Sequence, residues 1–130
     1  MLAGETALLV HNSNCSSNAK ILGGNLEASG LTRPVETAAH HIVASTSPKA
    51  AAARQQLAKF GIDINDASNG VFLPRGSTSA NPTGASVHSR IHTNEYYAYV
   101  NDLIGGARSA SEARDVLDHV RRQLQGGHWP

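Results

Sequence analysis

Apolar positions recur at helical spacing in four stretches of the chain and bunch into two short β-branched runs between them. Leu22 and Leu26 lie four apart. The Ser16-Ser17-Asn18 group is placed to cap a helix through Ala19–Leu22, and Gly30 is placed to stop it, with Gly23-Gly24 weakening its middle. Ser47-Pro48 puts a capping serine and a first-turn proline ahead of the alanine-rich stretch Lys49–Phe60, which Gly61 ends. Thr93 or Asn94 caps a third helix from Glu95 to about Ile104, where Tyr96, Tyr99, Val100 and Leu103 share a stripe. Ser109 and Glu112 form a capping box for a last helix over 109–125, with Ala113, Val116, Leu117, Val120 and Leu124 on its apolar side.

The two β-branched runs are Ala39-His40-His41-Ile42-Val43, reached through the extended Thr32–Val35 segment, and Val71-Phe72-Leu73, stopped by Pro74. Between Arg75 and Gly84 the chain is rich in glycine, serine and proline, which predicts a surface loop of the kind that often borders a functional site. The expectation is an α+β fold, mostly helical, with a small pair of strands in the middle. No internal repeat is present. At 130 residues, one domain spanning 1–130 is expected, large enough to bury somewhat over about 60% of its unfolded surface.

Composition narrows the chemistry. A single cysteine, Cys15, excludes an internal disulfide and a cysteine-rich zinc site, and suits a reducing compartment. No run approaches the roughly 20 apolar residues of a membrane span, and Met1–Glu5 lacks the basic start of a secretory leader. Export would then need a dedicated secretion system or a larger parent polypeptide. The net charge of +1 does not announce nucleic-acid binding, but Arg75, Arg90, Arg108, Arg114, Arg121 and Arg122 concentrate basic charge in the second half. Arg75 and Arg90, close to the later histidines, are the candidate phosphate contacts.

The seven histidines carry the candidate chemistry. His40 and His41 are adjacent, so on a strand they point to opposite faces. One can hold a metal while the other works as a base. His88 and His92 converge if their segment is helical or turns tightly, and with His40 they make a three-imidazole site for one divalent ion with positions left open. His41 then remains as general base. Asn69 either fixes the loop behind the doublet or orients His41 through its carbonyl. Each pair alone is ordinary surface furniture; together, in this order around Asn69-Gly70, they point to phosphodiester cleavage. His11, His119 and His128 read as solvated or boundary residues, and Tyr97 is the aromatic left open for stacking on a base.

These elements resemble the AHH branch of the HNH, or His-Me finger, nucleases. The resemblance rests on Ala39–Val43, Gly61–Ala67, Asn69–Pro74, and His88 and His92 ahead of Tyr96–Val100, with Leu22–Leu26 and Gly30–Pro34 as lead-in. It covers roughly residues 18–104. It implies a ββα-metal core around one divalent ion (Mg²⁺, Mn²⁺, Ni²⁺ or Zn²⁺), flanked here by further helices. By analogy with nuclease colicins it implies His40 as ligand, His41 as base, Asn69 as orienting residue, and His88 and His92 as ligands or phosphate contacts. It further implies a DNA substrate, a role as an antibacterial toxin domain acting in the target-cell cytoplasm, and a cognate immunity protein. The departure from the family pattern is the Thr93-Asn94 cap after His92, which places His88 outside the site helix. Two other readings fit the same residues: an RNase using histidine acid–base chemistry on a 2′-hydroxyl, and a non-catalytic, metal-stabilised nucleic-acid-binding module.

Overall fold

The computed structural model describes residues 17–127. Among these the fold is α+β: helix α1 (residues 17–28), strand β1 (Thr37–His41), helix α2 (Ala51–Lys59), strand β2 (Gly70–Pro74), helix α3 (Asn94–Gly105) and helix α4 (Ala110–Gln125). Single 3₁₀ turns at Pro48–Ala50, Ala67–Asn69 and His88–Arg90 lead into α2, β2 and the stretch before α3.

Helix ends follow the local chemistry. Gly30 (φ 106°) and Gly61 (φ 71°) take the left-handed conformation after α1 and α2. At each, the next amide reaches back, Leu31 N to Leu26 O at 3.3 Å and Ile62 N to Leu57 O at 2.9 Å, closing the last turn. Ser17 and Asn18 are already helical, and Ser16, Cys15, His11 and His128 lie outside the described residues. Thr93 Oγ1 accepts Tyr96 N–H at 3.2 Å and Ser109 Oγ accepts Glu112 N–H at 3.1 Å, as the cap signals predict. The Glu112 carboxylate returns to Arg108 N–H at 2.9 Å.

The strands pair antiparallel, with Thr37 opposite Pro74 and His41 opposite Gly70. The first strand ends two residues earlier than its β-branched run suggests. Ile42 and Val43 leave the ladder and are fully buried in the main core, while Asn69 takes the place of a strand partner. Its Oδ1 accepts Val43 N–H at 2.8 Å and its Nδ2 donates to Val43 O at 3.1 Å. A side-chain amide thus satisfies both polar groups of a buried backbone, which would otherwise cost about 1–3 kcal/mol each.

Alternation along β1 sets two packing sides. Ala39 packs with Leu22 and Leu26 of α1 and with Phe72, whereas the main core joins Ile42, Leu57, Ile91, Tyr96, Val100 and Leu117 on the side of α2, α3 and α4. Gly70 is what lets α1 approach: a Cβ there would lie 2.6 Å from Leu22 Cδ1. Arg121 of α4 ties the turn before β2, donating to Gly70 O at 3.1 Å and Ser68 O at 2.7 Å. The loop after β2 is largely exposed, and its residues 80–83 and Ala85 border an apolar cavity of about 400 Å³ with Pro34 and Phe72, away from the histidines.

Candidate metal centre and base

A cavity of about 280 Å³ opens where β1 ends, lined by His40, His41, His88, His92, Tyr97 and the Ala44–Ser47 segment, with Ala19 of α1 on its edge. Because the strand stops at His41, both members of the doublet reach this cavity although their neighbours lie on opposite sides of the sheet.

On the α3 side, His40 is fully buried. Its Nε2 lies 3.0 Å from the Tyr96 hydroxyl, which donates its own proton to Ile42 O at 2.8 Å. The hydroxyl therefore accepts from His40, and Nε2 carries the imidazole proton. That leaves the Nδ1 lone pair facing His88 Nδ1, 3.1 Å away. His88 comes from the 3₁₀ turn His88–Arg90, so a tight turn rather than a helical face brings it beside His92, ring centroids 4.8 Å apart. One nitrogen from each of His40, His88 and His92 lies within 4.8 Å of the other two, the one such convergence of possible ligands among the described residues.

Electrostatics keeps these rings neutral and hence ligand-competent. Burial, then the neighbouring His88, His92 and His41, holds His40 well below the ordinary imidazole range. His88 is pushed down to about 4 by burial and by His92 and His41, and burial lowers His92. Burial raises the Tyr96 phenol, with Tyr97 adding to it, so Tyr96 stays protonated. The three imidazoles could hold a metal ion. Tetrahedral nitrogen ligands at 2.0–2.1 Å lie about 3.3 Å from one another, close to the spacing of His40 and His88. Three protein donors, one of them on the exposed His92, leave coordination positions for water and phosphate.

On the α1 side, His41 Nε2 lies 2.8 Å from Asn65 Oδ1. An amide oxygen only accepts, so Nε2 carries the proton and Nδ1 holds the lone pair. Burial lowers the His41 pKa and the Asn65 bond partly opposes that. The residue at His41 is thus Asn65, not Asn69. Every polar atom of the Asn69 side chain is committed to the loop: Oδ1 to Val43 N–H, Nδ2 to Val43 O and, at 2.9 Å, to Ile64 O. Of its two expected uses, fixing the loop behind the doublet is the one its bonds serve. Asn65 sits in Ile64-Asn65-Asp66, where the polar turn pattern hides it. The Asp63 carboxylate takes Asn65 N–H at 2.7 Å, an ordinary turn contact that does not mark the residue out in the sequence.

Arg54 stiffens the cavity rim, Nη1 donating to Ala44 O at 2.9 Å and Ser47 O at 2.7 Å. Arg90 is exposed between His88 and His92. Arg75 is not brought to the cavity. It follows Pro74 at the far end of the strand pair, five residues beyond Gly70, the partner of His41, and so about 16 Å along the sheet at ~3.3 Å per residue. His119 is exposed on α4.

Comparison with known proteins yields one family. The profile described as "AHH: A nuclease family of the HNH/ENDO VII superfamily with conserved AHH" matches residues 21–124. No curated protein and no solved structure matches the chain.

Proposed function

Because the chain belongs to the AHH family, a nuclease family of the HNH/endonuclease VII superfamily, we propose that it hydrolyses DNA phosphodiesters with one divalent ion on His40, His88 and His92 and with His41 as general base. The observation that supports this most is the pairing of two differently prepared imidazole environments on one cavity: three neutral rings converging, and a fourth ring held from behind by a neutral amide.

The proton bookkeeping follows from the tautomers. With Nε2–H bound to Asn65, His41 offers Nδ1 to a water molecule in the cavity. His41 takes the water proton, the hydroxide oxygen bonds to phosphorus, the opposite P–O bond breaks, and the departing oxygen takes a proton from solvent. The Asn65 carbonyl dipole then faces the imidazolium's Nε2–H and stabilises it. A lowered His41 pKa keeps the base neutral at neutral pH. Asn69 and Arg54 hold the backbone that carries these groups. His40, His88 and His92 would hold the cation, and when bound it would supply Lewis-acid stabilisation of negative charge at the phosphate. Arg90, between two of those imidazoles, is placed to meet a flanking phosphate.

The proposal extends to biology through the family's frequent role: a bacterial antibacterial toxin domain, delivered by a secretion system or on a parent polypeptide into the target cytoplasm and neutralised by an immunity protein. Such a partner would set acidic residues against the arginines or plug the cavity. The test is purified protein with plasmid DNA and with RNA, each with Mg²⁺, Mn²⁺, Ni²⁺, Zn²⁺ or EDTA. Nicking of DNA that needs the ion and stops with EDTA is expected. RNA cleavage insensitive to EDTA favours the acid–base RNase, and binding without cleavage favours the non-catalytic module. Induction of wild type and His41→Ala in a bacterial cytoplasm tests the toxin role. Loss of genomic DNA with the wild type alone is expected; normal growth with abundant soluble wild type contradicts it.

A further inference from the structure

Asn65 is buried and all of its polar groups are spoken for. Its N–H goes to Asp63 Oδ1 and its C=O takes Asn25 Nδ2 at 2.7 Å, so the backbone is pinned on both sides. Its Oδ1 faces His41, and its Nδ2 donates to Asn18 Oδ1 at 3.0 Å. That last bond decides the others. An asparagine amide reads almost the same by shape when rotated half a turn, but rotation here would set Asn65 Oδ1 against the Asn18 oxygen and Nδ2 against the proton on His41 Nε2. With the Asn18 oxygen turned toward Asn65, the Asn65 amide has one orientation, and that orientation goes with the Nε2–H tautomer of His41.

Asn18 is held in place by helix packing. Asn18, Leu22 and Leu26 are spaced by four, so they share the face of α1 that packs on the sheet. Leu22 and Leu26 are buried there, and Leu22 lies in the space that Gly70 leaves free. Asn18 also precedes the family-matched stretch, which begins at residue 21.

We infer that Asn18 and Asn65 form an amide relay from α1 that positions the base: Asn18 sets the Asn65 amide, and Asn65 fixes His41 as the Nε2–H tautomer with Nδ1 open to the cavity. Both are positioning residues, acting on the reaction only through His41. The inference rests on the reading of His41 as the base, but the tautomer itself can be observed without any reaction.

A long-range ¹H–¹⁵N correlation spectrum of the histidine rings at pH 7.5 reads it directly. The wild type is expected to show His41 as a single Nε2–H tautomer, and Asn18→Leu to show a mixture. In cleavage assays, Asn65→Leu should lose on the order of 10–100-fold in kcat with KM for DNA and cation affinity little changed, the scale of removing an orienting partner. Asn65→Asp keeps the acceptor and should recover most of that loss; Asn18→Asp should do the same for a smaller deficit in Asn18→Leu. A mixed or Nδ1–H His41 in the wild type overturns the relay, whatever the variants do. Wild-type kcat in Asn65→Leu overturns it too. The expected tautomers in a protein that cleaves no nucleic acid uphold the relay and reject the base reading instead.

Discussion

His40 and His41 are adjacent in sequence and line one cavity, yet the two sides of the strand prepare them in opposite ways. His40 has its Nε2 proton bound to a phenol from α3 and turns its lone pair toward two more imidazoles. His41 has its Nε2 proton bound to an amide backed by α1 and has no second imidazole in hydrogen-bond contact among the described residues. The protonated atom is the same in both rings; what differs is what faces the other nitrogen. Clustered neutral rings repel protons and attract a cation, whereas a single ring with a polar brace behind it can accept and release one. The difference arises from alternation along β1, which sends one ring toward α3 and the other toward α1, and from the end of the strand at His41.

The division of labour is open to direct attack. The largest effect expected is on cleavage by His41→Ala: a loss of about 10²–10⁴-fold in rate, typical of removing a general base, with the fold kept. Plasmid nicking by the purified variant at the wild-type rate would erase the distinction between the two rings. Next, His40→Ala, His88→Ala and His92→Ala should weaken divalent-ion affinity, His40→Ala by more than the about 10–100-fold that loss of a supporting partner costs. Competition with a metallochromic indicator ranks them, and wild-type affinity in all three would dissolve the cluster as a site.

Tyr96→Phe sharpens the same side more gently. It removes the acceptor of His40 Nε2–H and the donor to Ile42 O. A roughly tenfold loss of ion affinity and about 1–3 kcal/mol of stability are expected, read by the same competition and by urea unfolding. An unchanged affinity would mean that the phenol does not orient His40.

The smallest effect is graded with pH. In the metal-free protein His40, His88, His92 and His41 all have pKa values below the ordinary 6.5. Between the folded and unfolded values the unfolded chain binds more protons, so stability rises with pH there. It should be fully present above about pH 6.5 and fall progressively toward the His88 value of about 4. Urea unfolding at pH 7.5, 6 and 5 checks this, and a flat profile would contradict the buried, neutral cluster.

Sequence reading reached the helices whose stripes and caps agree. Thr93 and Ser109 cap α3 and α4, and Gly30 and Gly61 close α1 and α2, because these are local hydrogen-bonding and φ requirements. The strand's end was not legible. Ile42 and Val43 look like strand residues by side chain, but Ile42 O takes the Tyr96 hydroxyl and the Val43 backbone pairs with the distant Asn69 side chain in place of a ladder partner. His40, His88 and His92 were selected by residue type and order and are brought together in space, His88 by a turn that the cap after His92 already suggested. Asn65 was missed because its role depends on Asn18, 47 residues away, and nothing in its immediate neighbours distinguishes it from a turn asparagine. Arg75 is close to the histidines in sequence but lies at the opposite end of the sheet, which pairing register alone decides.

The central claim is that one ring of the doublet holds the cation and the other does not. Calorimetric titration of Zn²⁺ into His40→Ala and His41→Ala, side by side with the wild type, tests it most directly. The account predicts one equivalent bound by His41→Ala with near-wild-type affinity and a severe loss of binding in His40→Ala. Equal loss in both variants, or wild-type binding by His40→Ala, would contradict it.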